Sequence, residues 1–104
     1  MSPFLSACSA VSALLGPADA TEDIVDPYPA TIARWGHAAS VNLTVRAYEA
    51  TGSVVLVAER LPDAREWRSI GDGTVRDACA WLGWSVPRPP SLGYDANGSP
   101  VEAA

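Results

Sequence analysis

The chain has 104 residues, of which twelve are acidic and seven are basic, so its formal net charge is −5 at pH 7. This length suits one small domain, and the negative charge opposes binding to nucleic acid or to an anionic membrane surface. All seven bases are arginine and none is lysine, a bias that indicates a GC-rich coding sequence, as in a high-GC bacterium or one of its phages.

The N-terminal segment is apolar like a signal peptide, but its pattern favours a helix. Ser2 can cap such a helix, Pro3 suits its first position, and Gly16 followed by proline is a stop signal. No positively charged region precedes the apolar stretch, so we expect a helix over residues 3–15 in a cytoplasmic protein. Its apolar stripe at helical spacing consists of Phe4, Cys8, Val11 and Leu15.

The next segment, residues 18–30, carries four acids and no base and ends in a Pro-Tyr-Pro sequence that excludes a regular helix. We expect a solvated connection here, because the spacing of the acids does not match a calcium-binding loop. Residues 31–35 fit either a helical turn or a short edge strand. The four acids are Asp19, Glu22, Asp23 and Asp26.

A β-hairpin is the clearest pattern in the chain. Apolar and polar residues alternate over residues 41–48, which predicts a strand with one face inward. A turn follows at residues 50–53, and residues 54–58 form a continuous apolar run typical of a buried strand. Residues 66–70 fit a third strand of the same sheet.

A second helix is predicted over residues 75–84, where Thr74 with Asp77 resembles a capping box. Beyond it, residues 87–104 are rich in proline and glycine, and we expect a largely irregular tail that folding does not require. The elements together predict one α+β domain over residues 1–86, with a small antiparallel sheet packed against two helices. The apolar stripe of the second helix consists of Val75, Ala78, Cys79 and Leu82.

Residues suited to catalysis or metal binding are few. The single histidine, His37, precedes Ser40, but no nucleophile motif surrounds that serine. One histidine and two distant cysteines, Cys8 and Cys79, cannot form the usual tetrahedral metal site. We therefore expect no catalytic site, no metal and no cofactor, and we expect both cysteines to be reduced.

Four tryptophans are many for so short a chain, and Trp84 lies off the apolar stripe of the second helix. Two interpretations are open. Trp84, with Trp81 beside it and Arg76 and Asp77 as a polar rim, could contact a partner protein, since tryptophan is enriched at binding hot spots. Alternatively, Trp84 closes the core.

The order of elements over residues 41–84 resembles the core of HicB-like antitoxins: strand, glycine turn, strand, Leu-Pro, third strand, Gly-Asp, Thr and helix. The resemblance implies that the hairpin and its helix bind and neutralise a toxin protein. The residues that carry it are Gly52, residues 54–58, Leu61, Pro62, residues 71–74, Asp77 and Ala78.

We expect a non-enzymatic protein-binding module that inhibits or neutralises a partner protein stoichiometrically. Antitoxins, immunity proteins and phage inhibitors of host defence, including anti-CRISPR proteins, form this class. One alternative is a small enzyme or ligand-binding domain that uses His37. Another is a structural subunit of a phage particle, which would form a symmetric homo-oligomer.

Overall fold

Five antiparallel strands form one sheet, and two helices pack against its middle strands, so the fold is α+β as predicted. The strands lie in the sheet in chain order, which makes the first and the fifth its edges. The computed structural model describes residues 2–25, 28–38, 40–86, 91–94 and 100–102. The elements are α1 (Pro3–Leu15), β1 (Ala20–Ile24), β2 (Ala30–Ala38), β3 (Val41–Tyr48), β4 (Val54–Arg60), β5 (Asp63–Trp67), α2 (Asp72–Leu82), β6 (Ser91–Tyr94) and β7 (Pro100–Glu102).

Helix α1 has the predicted bounds because both of its ends are fixed by local signals. The Ser2 side chain accepts a hydrogen bond from the Leu5 N–H at 3.1 Å, and Pro3 opens the helix. At the other end the Gly16 N–H donates to the Ser12 carbonyl at 2.8 Å. The helix therefore ends where the sequence predicted, with Val11 fully buried against the sheet.

The expectation of a solvated connection over residues 18–30 was wrong for its first half. Strand β1 lies there and pairs antiparallel with β2, from Ala20 opposite Arg34 to Ile24 opposite Ala30. Strand β2 in turn lies between β1 and β3, so the segment that fitted a helical turn or an edge strand is an internal strand.

Acidic side chains hold this charged edge strand in place. The Glu22 carboxylate lies 2.7 Å from the Arg34 guanidinium of β2, and Thr31 donates a hydrogen bond to Asp23 at 3.0 Å. These cross-strand pairs offset the poor strand propensity of acidic residues. Glu22 and Asp23, two of the acids expected in a solvated segment, therefore form part of the sheet.

The predicted hairpin is present as β3 and β4, with Leu43 opposite Ala58 and Val45 opposite Leu56. A third strand also follows, but β5 begins three residues earlier than the predicted span of residues 66–70. It pairs with β4 alone, which leaves its outer edge open among the described strands.

The hydrophobic core lies between the helices and one face of the sheet, which we call the inner face. Trp35, Leu43, Val45 and Leu56 contribute to it from the sheet, and Val75 from α2. Each of these five side chains is fully buried. Since α1 and α2 also contact each other, the core is closed by both helices together.

We expect Leu43→Ala and Leu82→Ala each to lower the free energy of unfolding by about 2–5 kcal/mol, because both side chains are buried in this core. Urea denaturation followed by circular dichroism measures the loss. Leu61→Ala is a matched control, since its side chain is 55% exposed and should change stability little. Equal midpoints for all three variants would contradict the core described here.

The opposite face of the sheet is also largely buried at its centre, although both helices pack on the inner face. Ile32 and Thr44 are 2% and 0% exposed, and Arg46 beside them forms an ion pair with Glu59 at 2.9 Å. Burial on both faces explains why β2 shows no clean alternation of apolar and polar residues.

The tail contains two short strands, β6 and β7, that pair with each other in a separate two-stranded sheet. Ser91–Tyr94 and Pro100–Glu102 are thus regular segments within the tail that the sequence predicted to be largely irregular. Residues 87–90, 95–99 and 103–104 lie outside the described residues. Neither described helix is long and apolar enough to span a bilayer.

Candidate functional site

Helix α2 begins at Asp72 and ends at Leu82, whereas the sequence predicted residues 75–84. Its start is fixed by Thr74, whose hydroxyl accepts from the Gly71 N–H at 2.9 Å and donates to the Gly71 carbonyl at 3.2 Å. Thr74 therefore lies inside the first turn and supports the cap from there, rather than being the cap itself.

The end of α2 decides where Trp84 lies. Gly83 has φ +80°, a left-handed conformation that favours glycine, and its N–H donates to the Ala80 carbonyl at 3.1 Å. The Trp84 N–H then donates to the Cys79 carbonyl at 2.8 Å. This Schellman arrangement turns the chain back toward the helix, so that Trp84 leaves the helical path.

Trp84 is consequently a core residue with 9% exposure, the second of the two interpretations that the sequence left open. It packs close to Gly36, where an added Cβ would lie 3.2 Å from the tryptophan ring. The Gly36 N–H is itself held by the Asp19 carboxylate at 2.8 Å. The exposed position expected for a partner contact is therefore corrected: in this fold Trp84 lies inside the domain.

The other predicted contact residues remain accessible. Trp81 is half-buried, and Asp77 lies one helical turn before it on the same face of α2. Arg76 is exposed and forms an ion pair with Asp72 at 2.7 Å. The structure thus brings Trp81 and Asp77 together, while Arg76 is paired elsewhere on the helix.

Two arginines lie over the rings of two tryptophans, Trp81 in α2 and Trp67 in β5. The Arg60 guanidinium is 4.9 Å from the centre of the Trp81 ring, and the Arg65 guanidinium is 5.1 Å from that of Trp67. Such cation–π contacts orient a guanidinium while its edge N–H groups stay free to bind a carboxylate. We call these four residues the Arg–Trp surface.

The strand register places both arginines on the inner face, close to each other. Ala58 of β4 lies opposite Arg65 of β5, and Arg60 follows Ala58 by two residues. Arg60 and Arg65 are thus diagonal neighbours, roughly 7–8 Å apart at Cα. Asp63 lies directly opposite Arg60 on the same face, so the surface also contains one exposed acid.

The two arginines of the Arg–Trp surface differ from the other described arginines because they form no ion pair with a described carboxylate. Within the described part of the chain, neither Arg60 nor Arg65 has a carboxylate oxygen within 4.0 Å. Both side chains are exposed. Each remaining described arginine does have such a partner, in the pairs Arg34–Glu22, Arg46–Glu59, Arg68–Glu66 and Arg76–Asp72.

The open edge of β5 borders the Arg–Trp surface. In an antiparallel pair every second residue directs its N–H and C=O away from the neighbouring strand, so β5 presents on its outer side backbone groups that no described strand pairs. The strand Asp63–Trp67 is short and carries three charged residues. A short and charged edge strand disfavours pairing with arbitrary strands of other molecules. It still permits pairing with a strand of complementary charge.

The histidine alternative concerns β2, which contains His37; the side chain of His37 lies outside the described residues. Ser40 is exposed in the β2–β3 turn, and its carbonyl accepts a hydrogen bond from the Leu61 N–H at 2.9 Å. No group of three or more His, Cys, Asp or Glu side chains that could hold a metal occurs among the described residues. Cys8 and Cys79 form no disulfide with each other, and burial raises the pKa of Cys8.

A cavity of about 780 Å³ lies at the end of the sheet, beside the β3–β4 turn. Its described lining includes Tyr28, Tyr48 and Val55, together with the ion pair of Glu66 and Arg68. The volume falls in the range of small-molecule sites. Its charged residues, Glu66 and Arg68, already form an ion pair with each other. Arg60 and Arg65 of the Arg–Trp surface have no described carboxylate partner.

No family model, no curated protein and no solved structure matches this chain.

Proposed function

We propose that this protein is a non-enzymatic binding module that inhibits or neutralises a partner protein by stoichiometric contact in the cytoplasm. The observation that carries the proposal is the Arg–Trp surface, where two exposed arginines without a described carboxylate partner lie on two half-buried tryptophans. Antitoxins, immunity proteins and phage inhibitors of host defence act in this way, and the resemblance of residues 41–84 to HicB-like antitoxins agrees with that class.

The composition of this surface suits a protein partner. Tryptophan and arginine are the residues most enriched at binding hot spots, where a few side chains contribute most of the affinity. Trp67 and Trp81 supply rigid apolar area whose ordering costs little rotamer entropy. Asp77, one turn from Trp81, extends the surface with a polar rim. A partner that covers the tryptophans would also remove the two guanidinium groups from bulk water. Their attraction to acidic groups of the partner would then be stronger than in water.

We expect Arg65→Glu to weaken partner binding by a factor of about 30 or more, the equivalent of a hot-spot loss of 2 kcal/mol. Because the side chain is exposed, the variant should fold like the wild type. The partner is first captured from a high-GC bacterial lysate on the immobilised chain. Calorimetry with the purified partner then gives the affinity and the stoichiometry.

Arg68→Glu is the matched control for this experiment. It makes the same change in net charge, its side chain is 91% exposed, and it lies beside the cavity rather than on the Arg–Trp surface. A partner that binds Arg65→Glu and Arg68→Glu equally well would exclude the Arg–Trp surface as the contact. An activity of the purified partner that is unaffected at one equivalent of the chain would contradict the inhibitory role.

A further inference from the structure

We infer that the partner supplies an extended acidic segment, which joins the open edge of β5 as a sixth strand and places its carboxylates on Arg60 and Arg65. This inference rests on the proposed function and names the chemistry of the contact. Its two components are the unmatched guanidinium groups of the Arg–Trp surface and the backbone groups of the adjacent strand edge.

The charges select an acidic segment. The chain as a whole carries a net charge of −5, and its other described arginines are already paired with carboxylates. Arg60 and Arg65 are thus exposed cations that lack a described counter-ion, and both lie on the inner face beside one edge. A guanidinium near an indole ring still has N–H groups at its edge, and a carboxylate can accept two of them.

The strand edge selects an extended segment. A strand added beside β5 would gain the hydrogen bonds that the outward N–H and C=O groups of β5 offer, as in other cases of strand addition. Side chains of an added strand alternate between the two faces, so acids at every second position would all lie on the inner face. Those acids would meet Arg65 directly, and the long side chain of Arg60 would reach them from β4.

Asp63 allows a test of whether the bound segment is negatively charged. It is exposed on the same face as the two arginines and repels an acidic segment. Asp63→Asn should therefore strengthen binding of an acidic segment, whereas Arg65→Ala should weaken it. A surface that binds through apolar contact alone would respond to neither change in this way.

The experiment uses the full chain and a capped hexapeptide of alternating glutamate and valine, with alternating lysine and valine as its control. Binding is followed by amide and indole N–H shifts in isotope-labelled protein. The glutamate peptide should shift residues of β5 and the indoles of Trp67 and Trp81. Its affinity should fall about five-fold in Arg60→Ala or Arg65→Ala and rise about two-fold in Asp63→Asn, as for charge pairs at an interface rim.

Backbone pairing is tested on the peptide, so that the protein stays unchanged. Two versions carry N-methyl groups, one at the glutamates and the other at the valines. Strand addition requires the N–H groups of alternate residues only, so one version should lose binding and the other should retain it. Equal binding of both versions would overturn the sixth-strand geometry.

The outcomes separate this inference from the proposed function. If a captured partner depends on Arg65 while the glutamate and lysine peptides fail to discriminate, the acidic strand is wrong and the binding function stands. Shifts confined to residues around the cavity would also overturn it. Sedimentation of the chain alone tests a second copy as the occupant: a homo-oligomer that Arg65→Glu converts to a monomer would assign the edge to self-association and overturn the inference.

Discussion

Replacing Trp35 by alanine is expected to lower the free energy of unfolding by about 3–5 kcal/mol, the cost of removing a large aromatic side chain from a packed core. Trp35 is fully buried in the inner face of β2. Its indole N–H also donates to the Gly16 carbonyl at 2.9 Å, a contact that joins the end of α1 to the sheet. The substitution would therefore leave both a cavity and a carbonyl without its partner.

Small domains are stable by only about 5–15 kcal/mol, so this loss would be a large part of the total. For a domain of this size, each kcal/mol corresponds to about 4–8 °C in melting temperature. Urea and thermal denaturation followed by circular dichroism would measure the change without relying on tryptophan fluorescence. An unchanged denaturation midpoint for Trp35→Ala would mean that this side chain is not in the core.

Trp35→Phe is the control that separates packing from the hydrogen bond. Phenylalanine keeps most of the apolar volume but cannot donate to Gly16, so we expect an intermediate loss of about 1–2 kcal/mol. A loss as large as that of alanine would assign most of the effect to the indole N–H instead of the cavity.

The elements that the sequence predicted well are those whose signals are local. Helix α1 has its predicted bounds because Ser2, Pro3 and Gly16 act on the backbone beside them. The β3–β4 hairpin was predicted because Leu43 and Val45, which face the core, alternate in the sequence with polar residues that face the other way.

The sequence missed β1 and left β2 open between a helical turn and an edge strand, and both strands depend on partners distant in the chain. Strand β1 consists mostly of polar and acidic residues, and its place in the sheet depends on pairs such as Glu22 with Arg34. Strand β2 is buried on both faces by side chains such as Ile32 and Trp35, so it shows neither a strand nor a helix period clearly. Tertiary contacts overrode the poor strand propensity of β1.

The candidate site was predictable only in part. Trp81 and Asp77 were identified from helical spacing, and both are accessible. The Arg–Trp surface was missed because the predicted third strand began at Glu66, one residue after Arg65. A strand that includes Arg65 and Trp67 places both on one face, and this spacing of two residues was the available signal.

The sequence left Trp84 open between a partner contact and a core position because the helical spacing was extended past the point where α2 ends. Gly83 was the signal against this extension, since glycine after an apolar helical stripe indicates a left-handed end. The residue after such a glycine commonly packs back on the last turn of the helix. That arrangement predicts burial for Trp84 and leaves Trp81 as the tryptophan of α2 that a partner can reach.

Replacing Trp84 by alanine is therefore expected to cost about 3–5 kcal/mol of stability, instead of removing a binding contact from an intact fold. Trp84→Phe should cost much less, because the Trp84 indole N–H is buried with no hydrogen-bond partner among the described residues, and its removal ends that penalty. Trp81→Ala should do the opposite: it removes the half-buried ring beneath Arg60, so partner affinity should fall while the chain stays folded. Circular dichroism in urea gives the stability of each variant, and calorimetry with the captured partner gives the affinity. If Trp84→Ala remained as stable as the wild type and lost its partner, Trp84 would belong to the contact surface and the packing against Gly36 would be wrong.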